Sequence, residues 1–181
     1  TKIAAKRKVA YERGGKELRH AAKRWPHLYR FIVIGLLTGS RSGVIVNLQW
    51  NWIDLDRGLM RRRPEGKVET KKRTPPVRIG AKLTRLLRHW KRLDGDRSKW
   101  VCHYDGRPVL KVRRSWASAV AQAGLGKDVT PHTLRHTRAT WLMQHGIDPW
   151  EAAGHLGMSV ETLQRVYGKH HPNYQKNAAE I

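Results

Sequence analysis

The chain has 181 residues, with 37 Lys plus Arg against 14 Asp plus Glu and a formal net charge of +23 at pH 7. At 39% hydrophobic residues, with eight Trp, it is too apolar for a disordered basic tail and long enough for one domain with its own core. Its most apolar run, FIVIGLL over 31–37, falls far short of the roughly 20 residues that cross a bilayer, so no membrane-spanning helix is expected.

Residues 1–24 read as a weakly amphipathic helix broken at Gly14 and Gly15 and stopped by Trp25-Pro26. Residues 27–38 predict a buried helix, because Leu28, Phe31, Ile32, Ile34, Leu36 and Leu37 are apolar on most of its sides and Gly39 is placed to end it. A short helix over 42–48 follows. WNWIDL and LMRRR then flank Asp56-Arg57-Gly58 as a β-hairpin, and 67–79 reads as a ragged edge strand because of Pro75-Pro76. Leu83, Leu86, Leu87 and Trp90 recur at helical spacing over 81–93. Residues 94–110 read as loop with a short strand at 100–104, and 112–125 as helix. Thr130-Pro131 starts a helix running to Gln144, Asp148-Pro149 opens another that ends near Gly157, and Ser159 caps a last one through Tyr167. The expected fold is mainly α with a small antiparallel β-sheet. Its expected division is a lead-in helical segment over 1–26, one domain over 27–171 and a polar tail over 172–181.

The charge is uneven. Between Arg57 and Arg92 there are 14 Lys or Arg and only Glu65 and Glu69, a local net of +12. Excess of this size repels itself unless a polyanion is the usual partner, which makes double-stranded DNA the leading candidate and Arg61, Arg62, Arg63, Lys72 and Arg73 candidate phosphate contacts. An anionic membrane surface fits less well, because the basic residues are scattered through a Pro- and Gly-punctuated stretch instead of lining a helix opposite an apolar face. Cys102 is the single cysteine, so no internal disulfide is possible, and six of the ten histidines fall between His132 and His171 without a metal-binding spacing. No metal and no cofactor are expected, and a site inside the cell, in the cytoplasm at DNA, is. The opening TKIAAKRKVA has charge without an apolar core and begins with Thr, so no secretory signal and a piece of a longer protein are expected.

Several residues have chemistry-bearing surroundings. Arg41 in TGSRSG lies at a sharp turn at the end of the buried helix. His132 and Arg135 in TPHTLRHT are three apart and project from one face near a helix start, where backbone N–H groups also favour an anion. Tyr167, before Gly168, is expected to present its phenol at a helix end. Lys71 and Lys72 lie in the hairpin-like stretch. Ala153, Gly157 and Leu163 match the small, turn and apolar positions of a helix-turn-helix, which leaves a DNA-binding regulator without chemistry as a second reading.

Taken in order, Arg41, a hairpin lysine, HTLR at 132–135 and a tyrosine 32 residues later resemble the catalytic domain of the tyrosine recombinases, the phage-integrase family. TGSRSGVIVNLQWNWIDLDRG resembles that family's first arginine box, PHTLRHTRATWL its second, and LGMSVETLQRVY the Leu-Gly-His segment leading to its nucleophilic tyrosine. The likeness spans about 27–171, and the small helical domain that precedes this one in such enzymes is not in the sequence. It implies site-specific DNA cleavage and rejoining through a 3′-phosphotyrosine. By this resemblance Arg41 and Arg135 hold the scissile phosphate, Tyr167 attacks it, His132 hydrogen-bonds the phosphate or accepts the tyrosine proton, and Lys71 protonates the departing 5′ oxygen, with Lys72 as the adjacent rival. Two guanidinium forks take the place of a metal ion. The pattern is broken at Val44, where an acidic residue is usual, and at Met158, where His or Trp is usual. A thioether donates no hydrogen bond, and His155 is a spatial substitute to be tested. A decayed integrase that binds DNA without cutting is the remaining alternative, and a homo-oligomer on DNA stays open.

Overall fold

A computed structural model describes residues 19–20, 23–64, 66 and 74–180. The lead-in segment therefore lies almost wholly outside the described residues, and so do Lys71, Lys72 and Arg73. The described chain is mainly helical with two small antiparallel sheets.

Helix α1 (Pro26–Thr38) is the axis of the main core, with Leu28, Phe31, Ile32 and Ile34 fully enclosed. Pro26 supplies the fixed φ of a first turn, and Gly39 at φ 62 ends the helix by donating its N–H to Gly35 O. Its one buried charge, Arg30, is forked onto Asp94, Nη1 to Oδ2 and Nη2 to Oδ1 at 2.7 Å each, with a further bond from Nη1 to Val101 O. This neutralises a cation that could not otherwise stay in an apolar interior. The hydrogen bonds and charge of Arg30 and His103 hold the Asp94 carboxyl below its usual range against the opposing effect of burial.

Helix α2 (Ser42–Val46) and a 3-10 turn (Trp50–Trp52) lead into β1 (Ile53–Asp54), β2 (Leu59–Met60) and β3 (Val77–Arg78). The sheet order is β1-β2-β3, with Ile53 opposite Met60 and Met60 opposite Val77, so these three apolar side chains face the core together. The strands are shorter than the WNWIDL and LMRRR pattern suggested. Trp50 and Trp52 fill the core from the 3-10 turn, in which Trp52 N–H bonds Gln49 O. Helix α3 (Ala81–Asp94) lays Leu83, Leu87 and Trp90 on the same core. The stretch 94–110 holds a second hairpin, β4 (His103–Tyr104) with β5 (Arg107–Pro108), where a short strand at 100–104 was expected; Trp100 makes only an isolated bridge to Gln49. Helix α4 (Arg113–Gln122) adds Trp116, Ala119 and Val120.

Helices α5 (Thr133–Gln144), α6 (Pro149–Leu156) and α7 (Val160–Tyr167) complete the described fold. Thr130 and Pro131 form a turn ahead of α5 instead of its first residues, whereas the Asp148 and Ser159 side chains cap α6 and α7 as expected. α5 packs along α1, where an added Cβ at Gly35 would lie 2.7 Å from Leu134 Cδ1. Leu134 belongs to the main core. Farther along the same helix, Ala139 and Met143 join Ala152, Ala153, Leu156, Leu163 and Tyr167 in a second, smaller core. α5 thus bridges two apolar clusters, and the polar residues between Leu134 and Ala139 fall at their seam. Among the described residues no helix is long and apolar enough to cross a membrane.

Candidate active site

The seam opens as a cleft of about 480 Å³ lined by Arg41, His132, Arg135, His136, Met158 and Tyr167, with Gly157, Ser159, Thr162 and Val166 completing its wall. Five of the residues singled out in the sequence, from three separate stretches, are therefore brought together: Arg41, His132, Arg135, Met158 and Tyr167. Among the described residues, no carboxylate lines the cleft.

The arginines are aimed by backbone carbonyls. The last carbonyls of a helix lack intrahelical partners and carry the negative end of its dipole, so they attract cations. At the end of α6, Leu156 O accepts from Arg135 Nη1 at 2.5 Å, and Gly157 O accepts from Arg135 Nη2 at 3.4 Å and from Arg41 Nη2 at 3.3 Å. Arg135 Nη1 also donates to Gly39 O at 2.8 Å, which ties α5 to the end of α1. Gly39 is required here. Its φ is 62°, and a Cβ would lie 2.4 Å from Leu156 Cδ2.

Beneath these two lies Arg62. It was expected among surface phosphate contacts, but the structure buries it at 5% exposure. Its Nε donates to Ser40 Oγ, and its Nη2 donates to Thr38 O and to His155 O. The RRR run after β2 places alternate residues on opposite faces, so the middle arginine turns inward and stitches α1 to α6. Arg61 and Arg63 are half-buried, and Arg61 Nη2 donates to Asn51 O. Burial, then repulsion from Arg135 and Arg41, lowers Arg62 to about 9. Burial and Arg41 lower Arg135 to about 10, with Tyr167 acting the other way. Both groups remain cationic at neutral pH. Three crowded guanidinium groups, with no carboxylate among the described residues of the cleft wall, make a place where an anion relieves repulsion.

Tyr167 was expected to present its phenol outward. Instead it is buried at 7% exposure, because Leu163 and Tyr167 are four apart and share the inward stripe of α7. Its hydroxyl meets His136 Nδ1 at 2.5 Å. His136 was not singled out in the sequence; the signal available was its position four residues after His132, which puts both rings on one face of α5. Those rings stand edge to face at 4.6 Å. His132 is shifted below the ordinary histidine value by burial and then by Arg135 and Arg41; His136 is shifted the same way by burial, His132 and Arg135. Neutral imidazole is the favoured form of both.

The remaining candidates are placed as follows. Met158 lines the cleft with a side chain that donates no hydrogen bond. His155 does not line it; its ring bonds the backbone of Leu37 and lies beside Arg138 and Arg62. The α6–α7 pair is a helix-turn-helix in outline, with Gly157 at φ 66, but Leu163 and Tyr167 of its second helix are packed into the smaller core. Among the described residues no three His, Cys, Asp or Glu side chains are grouped to hold a metal ion.

The Phage integrase family model matches residues 13–173. The integrase of Salmonella phage P22 is 31% identical over 159 residues, covering 79% of this chain and 39% of that protein. Tyrosine recombinase XerA of Thermococcus kodakarensis is 32% identical over 157 residues, covering 83% of this chain and 54% of that protein. Among solved structures, the catalytic domain of bacteriophage HP1 integrase shares the fold at a TM-score of 0.66 and 24% identity, over 94% of this chain and 92% of that one. The chain belongs to the phage integrase family. It spans 39 to 54% of the length of the curated relatives just described.

Proposed function

We propose that this chain carries the strand-cleaving centre of a site-specific DNA recombinase, acting on double-stranded DNA through a 3′-phosphotyrosine. The observation that carries the reading is the convergence of Arg41, His132, Arg135 and Tyr167 on one cationic cleft. A phosphodiester entering it meets two guanidinium forks already aimed by the α6 carbonyls, and these stabilise the charge that grows on the non-bridging oxygens in the pentacoordinate transition state. Preorganised donors of this kind are each worth on the order of 100-fold in rate. Tyr167 Oη attacks phosphorus, the bond to the 5′ oxygen breaks, and a lysine of the 67–73 stretch, Lys71 in preference to Lys72, protonates the leaving oxygen. His132 hydrogen-bonds the phosphate. The two arginines supply the role of a Lewis acid, so the reaction needs no divalent cation. Exchange between two duplexes requires more than one such centre, so copies of the protein act together on the DNA.

Met158 favours one competing reading, an integrase that binds DNA without cutting it. The test is adduct formation on a nicked suicide substrate. Wild type should become covalently linked to DNA with or without EDTA, and Tyr167→Phe should bind DNA with unchanged affinity and form no adduct. Adduct formation by the Phe variant, or its loss in EDTA, refutes the mechanism. DNA binding with no adduct from wild type selects the competing reading.

A further inference from the structure

We propose that His136, not His132, takes the proton from Tyr167 when the tyrosine attacks and returns it when the strand is resealed. The inference rests on the recombinase reading and deepens it. His136 is in direct contact with the phenol, Nδ1 to Oη at 2.5 Å, with ring centroids 5.9 Å apart. His132 stands edge to face against the His136 ring and feels the charges of Arg135 and Arg41, the groups that would hold the phosphate.

The surroundings suit a base. The charged and titratable groups facing His136 are His132 and Arg135 on its own helix and Tyr167 on α7. Two of these are cationic or become so, and none is a carboxylate. The neutral ring is therefore the resting form, and with its proton on Nε2 the Nδ1 lone pair accepts the phenolic hydrogen bond. A base must lie within hydrogen-bond reach of the proton it removes, and this one does before any substrate arrives. In cleavage, the Oη–P bond forms and the bond from phosphorus to the 5′ oxygen breaks. The phenolic proton passes to His136 Nδ1, and the 5′ oxygen takes its proton from the lysine acid. In resealing, the 5′ hydroxyl attacks phosphorus and gives its proton to the now neutral lysine, the Oη–P bond breaks, and His136 returns its proton to the phenolate. The imidazolium formed in between sits beside a phosphodiester bound to two arginines, so its charge is opposed by the substrate's own.

The test is single-turnover adduct formation by the full chain on a nicked suicide substrate between pH 5.5 and 9.5. His136→Asn keeps a polar atom near the Nδ1 position but cannot accept a proton. It should form adduct on the order of 100-fold more slowly at neutral pH, with the deficit shrinking about tenfold per pH unit as hydroxide takes over. A substrate with a sulfur at the 5′ bridging position, which leaves without an acid, should keep the whole deficit. His136→Ala should be partly restored by added imidazole, and both variants should bind DNA as wild type does. A His136→Asn variant within threefold of wild type with the same pH profile overturns the inference. So does a loss that is constant with pH and not rescued in the Ala variant, which would make the contact a structural pin between α5 and α7. Absence of adduct from wild type overturns the recombinase reading and this inference together.

Discussion

Acid should destabilise this fold through His155 before its carboxylates are titrated. The ring lies in the last turn of α6 between Arg138 and Arg62, with its Nε2 buried and without a hydrogen-bond partner. Burial first, then repulsion from Arg138 and Arg62, pushes it down to about 4, against a smaller upward pull from the Leu37 backbone. An unfolded histidine titrates near 6.5, so between pH 6.5 and 4 the unfolded chain binds more protons than the folded one, and stability falls as pH falls through that window. Each pKa unit is worth about 1.4 kcal/mol, giving about 3 kcal/mol at the limit and about 2 kcal/mol once the ring's partial contact with solvent is allowed for. That is a sizeable part of the 5–15 kcal/mol typical of a domain. The affected turn is also the one whose carbonyls aim Arg41 and Arg135. The assay is urea unfolding at fixed ionic strength from pH 7.5 to 4.5, for wild type and for His155→Gln, which keeps a donor for Leu37 but does not titrate. The other histidines titrate in both proteins, so the difference isolates this one. Wild type should lose about 2 kcal/mol more than the variant across the window. Parallel curves would refute the reasoning and place the ring in water, away from the two arginines.

Two further substitutions probe the cleft. Met158→His puts a hydrogen-bond donor on a wall that has a thioether, and it should raise the single-turnover adduct rate several-fold, bounded by the roughly 100-fold value of one such donor. An unchanged or lower rate would mean that this part of the wall does not face the phosphate. Gly39→Ala should cost about 2–4 kcal/mol in urea unfolding, from the left-handed φ together with a Cβ driven against Leu156. It should also slow adduct formation by displacing the carbonyl that holds Arg135, and a cost under about 0.5 kcal/mol would show that this turn relaxes freely.

Local signals carried most of the helices. Asp148-Pro149 and Ser159 act as caps because capping is a contact over two or three residues, and α1 and α3 are readable because their apolar residues repeat at the helical period. The hairpin at 103–108 was also legible. Asp105-Gly106 occupies its turn with φ values of 46° and 78°, the left-handed pair that Asp-Gly favours, yet the surrounding polar residues gave the stretch the look of a loop. Trp50 and Trp52 misled in the opposite direction. Their β-forming side chains are buried from a 3-10 turn, because the backbone there bonds Lys99 O and Gln49 O instead of extending a ladder.

What local reading could not supply is which arginines border the cleft. Arg41, Arg62 and Arg135 share one cluster, and two of them are more than nine-tenths buried, so neither charge nor exposure separates them. Placement at the cleft wall does. Arg62 is held by Ser40, Thr38 and His155, does not line the cleft, and carries the joint between α1 and α6. Arg41 and Arg135 lean on the carbonyls of residues 156 and 157 and border the cleft. Those carbonyls exist as acceptors only because α6 stops at Gly157, and Tyr167 reaches the same cleft because α7 restarts at Ser159 within three residues of that stop. One helix break therefore places both the cleft-lining arginines and the phenol. Residues 157–159 are where a change of chain length, rather than of chemistry, would separate the phenol from the arginines.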